Sequence, residues 1–269
     1  MSSLENCGVG FIVEQKKLYN GITLNYARRG EKADIPVIFL HGYIDSWRSF
    51  AGVLSELSPK RYAIAPDLRG HGDSDKPPYG YSIGDFTRDL VLFMDAVELR
   101  KADIVGHSMG SFIAQMLAAE YPHLVRRLIL ISSAPSASDN RVLKEVRSVV
   151  DALYDPIDKK FIADFQAPSN PMPQEIMDMI VSESMKVPAR IWKDALSGLL
   201  EVNHESILHN IAARTRIIWG NQDGIFTRSD QSALLSKIRY SSLREYDAGH
   251  ALHWEKPQEI AVDIETFLD

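Results

Sequence analysis

Residues 102–118 read ADIVGHSMGSFIAQMLA, an apolar run followed by a Gly-His-Ser-Met-Gly turn and then a helical pattern. The run predicts a buried strand and the pattern predicts a helix, so Ser108 lies at the apex of a sharp strand-to-helix turn. Such a turn strains the serine backbone and needs small residues two positions away, which Gly106 and Gly110 provide. The stretch predicts a nucleophilic serine; an ordinary loop with a capping serine is the alternative.

Short apolar runs alternate with helical patterns along most of the chain, which predicts a mostly parallel sheet covered on both faces. Residues 11–16 and 22–28 alternate in polarity and predict two antiparallel edge strands joined at Asn20-Gly21. Further strands are predicted at residues 36–40, 62–65, 104–105, 128–131, 216–219 and 242–246. A closing helix is expected from Pro257. The predicted fold class is α/β, with about eight strands.

Residues 135–208 break this alternation. They contain no strand-like run, only helical patterns at 141–153, 158–165, 174–185 and 189–200, which prolines separate. Because the block follows a central strand, we expect it above the carboxyl edge of the sheet, where ligands bind in open α/β folds. We interpret 135–208 as a helical lid and residues 1–134 with 209–269 as the core domain.

Apolar lid residues are candidates for substrate contact. Phe165, Met172 and Trp192 are expected to line an adaptable apolar pocket. The simpler interpretation is that a helix needs apolar residues merely to dock on the core, so only a minority are expected to touch substrate.

Composition excludes several classes of function. The 269 residues carry a formal net charge of −6, which argues against nucleic acid or an anionic membrane as the main partner. No stretch approaches the roughly 18 apolar residues of a membrane span, and the N-terminus lacks signal-peptide features. The single cysteine, Cys7, excludes an internal disulfide and a cysteine-rich metal site. We expect a cytoplasmic protein, with a homodimer as one open assembly.

A serine nucleophile needs a base, and a third group must orient that base. His250 lies on a glycine-containing loop after the last predicted strand and is assigned as the base, with His253 as its rival. Asp223 follows the seventh strand and is assigned as the orienting carboxylate; an Asx-type loop residue is the alternative. The resulting chain order Ser, Asp, His is the one expected for this scaffold. No further ligand pattern supports a metal site at His250 and His253.

Attack on a carbonyl creates an oxyanion that backbone donors must stabilise. One donor is expected from the N–H of Met109, directly after the serine. The second is expected from the N–H of Tyr43, on the loop after the third strand, where Gly42 lets the backbone turn toward Ser108. This chemistry needs no metal and no cofactor.

From about Gly21 to the C-terminus the chain resembles the α/β-hydrolase superfamily. The resemblance is carried by H-G-Y at 41–43, D-L-R-G-H-G-D-S at 67–74, G-H-S-M-G at 106–110, W-G-N-Q-D at 219–223 and G-H at 249–250. It implies an eight-stranded, mostly parallel sheet with a helical lid after strand 6, and structural roles for His41 and His71. The chain departs from its relatives at Ser111, where glycine is frequent, and at Asn221, where aspartate is common.

Within this superfamily the residues favour a serine hydrolase of the esterase or lactonase type, acting on a small to medium ester or lactone. Relatives that open epoxides or remove halogens use an aspartate nucleophile, against which Ser108 argues. Carbon–carbon hydrolases usually have a glycine-rich loop after the third strand, which residues 43–46 lack. Hydroxynitrile lyase chemistry, cofactor-free perhydrolase (haloperoxidase-like) activity and a triad-bearing small-molecule receptor stay open.

Overall fold

The computed structural model describes residues 10–269, so Cys7 lies outside the described part of the chain. Eight strands form one sheet in the order β1-β2-β4-β3-β5-β6-β7-β8. They are β1 (Ile12–Lys17), β2 (Thr23–Arg29), β3 (Val37–Leu40), β4 (Ala63–Pro66), β5 (Ala102–His107), β6 (Val125–Ile131), β7 (Arg214–Gly220) and β8 (Ser241–Tyr246). Strand β2 is antiparallel to β1 and β4, and all other pairs are parallel. The predicted fold class is confirmed.

Helices cover both faces of the sheet. They are α1 (Ala51–Glu56), α2 (Ile83–Ala96), α3 (Met109–Glu120), α4 (Arg141–Val150), α5 (Lys159–Phe165), α6 (Gln174–Ser184), α7 (Ala189–Leu200), α8 (Arg228–Lys237), α9 (Leu252–Glu255) and α10 (Pro257–Leu268). Helices α1 and α10 pack together, and so do α2 and α3. Within residues 10–269, none of the helices has the length and apolar character needed to cross a membrane.

Strand β3 shows how the centre of the sheet is packed on both faces. All four of its residues are buried. Ile38 and Leu40 belong to the core that includes α2 and α3, whereas Val37 and Phe39 belong to the core that includes α1 and α10. Burying an aliphatic or aromatic side chain of this size contributes about 1.5–3 kcal/mol. The loops at the carboxyl edge therefore rest on a well-packed platform.

Helices α4–α7 follow β6 and precede β7 in the chain. Side-chain caps begin two of them: Asn140 accepts a hydrogen bond from the amide of Leu143 at 3.0 Å, and Asp158 accepts one from the amide of Phe161 at 2.9 Å. Helix α7 packs against α4. The helices fall where the sequence predicted them, except that α4 ends at Val150 in a turn rather than at residue 153. Their role as a lid stays a prediction.

Candidate active site

Ser108 lies between the end of β5 and the start of α3, with φ at 49° and ψ at −117°. Residues other than glycine rarely adopt this left-handed region, so the backbone here is strained. A Cβ on Gly106 would lie 2.3 Å from the carbonyl oxygen of Gly110, and one on Gly110 would lie 2.2 Å from that of Leu40. Backbone atoms cannot move aside for a Cβ without a large energetic cost. Glycine is therefore required on both sides of the serine.

Three side chains from three separate strand ends meet at this turn. The Ser108 Oγ lies 3.0 Å from the Nε2 of His250. The Nδ1 of His250 lies 3.0 Å from both carboxylate oxygens of Asp223. A proton on Nδ1 directed at the carboxylate leaves Nε2 free to accept the proton of the serine hydroxyl. The structure thus brings together the three residues that the sequence singled out.

The surroundings of Asp223 keep it ionised. Burial raises the pKa of Asp223, but the charge of His250, its hydrogen bond and two backbone amides outweigh burial and hold the pKa below its ordinary value. Those amides belong to Ile225 and Phe226 and donate to Oδ1 at 2.8 and 3.1 Å. Asp223 therefore fills the Asx-type loop role as well as contacting the imidazole.

Two residues that were not assigned from the sequence hold the loop of His250. The Ser132 hydroxyl donates to the backbone carbonyl of His250 at 2.7 Å, and the Nε2 of His107 lies 3.1 Å from the same oxygen. Ser132 directly follows β6 and has a φ of 47°. The sequence showed only that a polar residue stands at the end of a strand, and not which group it contacts.

His253 does not contact Ser108. Its side chain is buried, and its ring centroid lies 4.2 Å from that of His107. Burial holds the pKa of His253 well below its ordinary value, so the ring is neutral. Neither ring nitrogen has a hydrogen-bond partner among the described residues. Within residues 10–269, no group of three or more metal-binding side chains is placed to hold an ion.

His41 and His71 support the loop after β3. His41 donates from Nδ1 to the carbonyl of Gly42 at 2.8 Å and accepts at Nε2 from the amide of Leu68 at 2.9 Å. The Nδ1 of His71 donates to the carbonyl of Arg69 at 2.8 Å. Burial lowers the pKa of His71 to about 4. Both rings are neutral and inside the scaffold rather than at Ser108.

The loop after β3 passes directly beside the serine. A Cβ on Gly42 would lie 2.9 Å from the Nδ1 of His107 and 3.5 Å from the Cβ of Ser108. Among residues 10–269, the amides of Tyr43 and Met109 donate to no other group, so both are free to bind a substrate oxygen. The phenol of Tyr43 donates to the carbonyl of Trp192 at 2.6 Å, which ties this loop to α7.

The departure at Ser111 builds a polar contact beneath the turn. The Ser111 hydroxyl lies 2.6 Å from the carbonyl of Ser108 and 2.6 Å from the hydroxyl of Ser133. The side-chain amide of Gln115 donates to that same hydroxyl at 2.8 Å. A glycine at position 111 would have no side chain to form these contacts.

A cavity of about 300 Å³ opens over Ser108 and His250. Helices α4 and α7 and the segment after α5 contribute the apolar wall, which consists of Val142, Leu143, Val146, Phe165, Ala167, Pro168, Leu196 and Leu199. Loops of the sheet contribute Gly42, Tyr43, Asp45, Ile225 and Ala251, and α9 contributes Trp254. Asp45 and Gln166 were not expected there from the sequence.

Of the three expected substrate contacts, only Phe165 lines this cavity. Trp192 is fully buried behind it, with ring centroids 5.0 Å from Phe165 and 5.9 Å from Tyr43. Met172 packs in a separate apolar cluster with Ile180 and Trp254. A helical pattern identifies apolar residues but not which of them face a cavity, so contact of Trp192 and Met172 with substrate stays a prediction.

Residues 35–257 match the family model described as the alpha/beta hydrolase fold. The chain belongs to this family. Over 113 residues this α/β hydrolase is 34% identical to an uncharacterized Mycobacterium tuberculosis protein, of which the match spans 33%. The chain thus covers about a third of that relative's length.

Other relatives match over most of their length. A 2-hydroxy-6-oxo-2,4-heptadienoate hydrolase from Pseudomonas putida is 27% identical, with 88% of each chain covered. The 3-oxoadipate enol-lactonase 2 of Acinetobacter baylyi is 24% identical, with 92% of this chain and 93% of the relative covered. The crystal structure of an enol-lactonase from Burkholderia xenovorans LB400 superposes with a TM-score of 0.85 at 21% identity, covering 95% of this chain and 99% of that one.

Proposed function

We propose that this α/β hydrolase is a serine hydrolase that cleaves a carboxylic ester or lactone through an acyl-enzyme. The observation that carries the proposal is the continuous hydrogen-bonded relay from Ser108 through His250 to Asp223, with 3.0 Å at each contact. A hydroxyl beside an imidazole that a buried carboxylate orients is the arrangement that activates a serine for acyl transfer.

In the proposed reaction, the Oγ of Ser108 attacks the substrate carbonyl while its proton passes to the Nε2 of His250. The amides of Tyr43 and Met109 bind the oxyanion of the tetrahedral intermediate. The intermediate collapses as His250 returns the proton to the leaving alkoxide, so an alcohol departs. Water then attacks the acyl-enzyme with His250 again as the base, and a carboxylic acid is released.

The cavity supports a substrate that is small and largely apolar. Its volume is about 300 Å³ and most of its lining side chains are aliphatic or aromatic. Among the described residues that line it there is no lysine and no arginine. A substrate carboxylate inside the cavity would therefore have no cationic partner, and burying an unpaired charge is strongly unfavourable. This favours an uncharged ester or lactone.

Carbon–carbon hydrolysis is the second candidate. A 2-hydroxy-6-oxo-2,4-heptadienoate has no ester bond, so the P. putida hydrolase that acts on it must break a carbon–carbon bond, and it matches 88% of this chain. The absence of a cation from the described cavity wall argues against such a dienoate, which carries a carboxylate.

Steady-state hydrolysis of p-nitrophenyl butyrate, combined with labelling by a fluorophosphonate probe, tests the proposal. We expect sustained turnover and labelling of the wild type, and loss of both in Ser108→Ala by about three orders of magnitude or more. Ser148→Ala, on the exposed side of α4, is the matched control and should keep both. Undiminished turnover in Ser108→Ala would contradict the proposal.

The same preparation separates the other activities. A dienoate that disappears faster than the ester favours the second candidate. A rate that rises only when peroxide is added favours perhydrolysis. A single turnover followed by a trapped acyl group favours a receptor.

A further inference from the structure

Asp45 places a carboxyl group in the wall of the Ser108 cavity. It lies two residues after Tyr43, on the loop that follows β3, and is 3% exposed. Its Oδ1 accepts a hydrogen bond from the amide of Ser46 at 3.0 Å. No lysine, arginine or histidine forms an ion pair with Asp45 among residues 10–269. A buried carboxyl group without a cation is unusual in a structure and points to a specific use.

Burial is the largest cause that raises the pKa of Asp45, and Glu183 on α6 and Asp67 after β4 add to it, so that the pKa is about 8. Glu183 is itself paired with Arg48 at 3.3 Å and with Lys186 at 3.0 Å. The hydrogen bond from the amide of Ser46 lowers the pKa only in part. At neutral pH the carboxyl group therefore keeps its proton, and a protonated carboxyl group is a hydrogen-bond donor.

Asp45 takes no part in the hydrogen bonds that link Ser108, His250 and Asp223. His250 already contacts Asp223 and Ser108, and His107 contacts the carbonyl of His250. The neighbouring Gln166 uses its amide nitrogen to donate to the carbonyl of Ile44 at 3.2 Å. Asp45 is thus a polar group in a mainly apolar wall, beside the amide of Tyr43 that is proposed to bind the oxyanion.

We propose that Asp45 is a specificity-determining residue of this cavity. It donates a hydrogen bond to an uncharged second oxygen of the substrate, and so selects neutral keto- or hydroxy-substituted esters over esters that carry a carboxylate. The inference rests on the proposed function, since it concerns which ester reaches Ser108. A site that is built to hydrogen-bond a substrate group discriminates strongly against analogues without that group.

Three methyl esters of equal heavy-atom count test the proposal. Methyl 4-oxopentanoate carries a keto oxygen, methyl 4-methylpentanoate has a methyl group in its place, and monomethyl succinate carries a carboxylate. For the wild type at pH 6.5 we expect kcat/KM for the keto ester to exceed that for the hydrocarbon by about tenfold. We expect it to exceed that for the carboxylate by about a hundredfold.

Two variants of Asp45 distinguish the effect of its hydrogen-bond donor from the effect of its size and shape. Asp45→Leu has no donor, and its ratio of kcat/KM between the keto and hydrocarbon esters should fall to about one. Asp45→Asn keeps a donor and should keep the preference for the keto ester. An unchanged ratio in Asp45→Leu overturns the proposal, and so does a wild type that cleaves monomethyl succinate as fast as the keto ester.

The pH dependence of the same ratio gives a second test that does not need Asp45→Leu to fold. The wild-type ratio should decline between pH 7 and 9 as Asp45 loses its proton, whereas the Asp45→Asn ratio should stay flat. His250, His107, Glu183 and Asp67 are present in both proteins and act on both esters, so a difference between the two pH profiles reports Asp45. Parallel profiles in the two proteins overturn the proposal.

Ser108→Ala distinguishes failure of this inference from failure of the proposed function. Undiminished cleavage of all three esters by Ser108→Ala would contradict the proposed function and therefore this inference as well. Loss of all three activities in Ser108→Ala, together with an unchanged ratio in Asp45→Leu, overturns only the role of Asp45.

Discussion

The floor and the roof of the cavity are built on different principles. We define the floor as the loops after β3, β5, β7 and β8, and the roof as α4, α7 and residues 165–169. Floor groups such as Ser108, Asp223 and His250 are fixed by hydrogen bonds to one another. Roof side chains such as Val146 and Leu196 are aliphatic and held by packing. The difference separates the groups of the proposed chemistry, on the floor, from the apolar side chains of the roof, to which we attribute the selection of substrate shape.

Among the substitutions considered for the floor, Asp223→Asn should reduce catalysis the most. The asparagine can still accept from the amides of Ile225 and Phe226, but it no longer holds the imidazole in the correct tautomer, so we expect kcat to fall by about 10⁴-fold. Steady-state kinetics on p-nitrophenyl butyrate measure this. The matched control is Asp247→Asn, an exposed residue of the neighbouring loop. A loss below tenfold for Asp223→Asn would remove the carboxylate from the mechanism.

Low pH should decrease the free energy of unfolding, because buried histidines below the floor are neutral in the folded state. Burial lowers the pKa of His71 from 6.5 to about 4, so the folded state binds this proton more weakly than the unfolded chain. The stability that results is fully present above about pH 6.5 and is lost as the pH falls toward 4. In His71→Gln the decrease in unfolding free energy between pH 7 and pH 4 should be smaller than in the wild type by about 3 kcal/mol.

Urea titrations at the two pH values measure that difference. His123→Gln, at an exposed position, should reproduce the wild-type decrease. The same decrease in His71→Gln as in the wild type would show that this ring does not couple folding to protons.

Val146→Phe should alter the roof and leave the chemistry intact. The larger ring occupies cavity volume beside α7, so kcat/KM for a p-nitrophenyl hexanoate should fall relative to the acetate by about 10- to 100-fold. Val149→Phe, on the exposed side of the same helix, is the control and should leave the ratio unchanged. Equal losses on both esters would show instead that the roof helps to position the triad.

Ser132→Ala should have the smallest effect, since it removes one neutral hydrogen bond to the carbonyl of His250. Such a bond contributes about 1 kcal/mol, so we expect kcat to fall by about three- to tenfold with KM little changed. Ser229→Ala, at an exposed position, is the control. A loss as large as that of Asp223→Asn would place Ser132 in the chemistry rather than in support of the loop.

The sequence anticipated the floor much better than the roof. Ser108, Asp223 and His250 each follow a predicted strand, and parallel strands bring their carboxyl ends to one edge of a sheet. The structure places the Ser108 hydroxyl and the Asp223 carboxylate each 3.0 Å from a ring nitrogen of His250. A period of 3.6 residues marks the buried side of a helix without saying what it is buried against, so it did not show that Trp192 and Met172 lie outside the cavity lining.

Asp45, Ser132 and His107 show the same limit near the floor. Each lies at or just after the end of a predicted strand, yet none has a local pattern that reveals its contact. Ser132 and His107 reach the carbonyl of His250 across 118 and 143 residues of chain. Asp45 acquires its raised pKa from burial and from Glu183, which lies on α6, a distant segment of the chain.

The sequence by itself determined the α/β fold, the strained serine turn and the residues at the strand ends, because strand periodicity and glycine requirements act over a few neighbouring residues. The tertiary structure alone decided which apolar side chains enclose the cavity, which groups anchor the loop of His250 and that Asp45 lies buried without a cation. Those properties arise from packing between distant segments, where desolvation and the choice of hydrogen-bond partner depend on the whole fold.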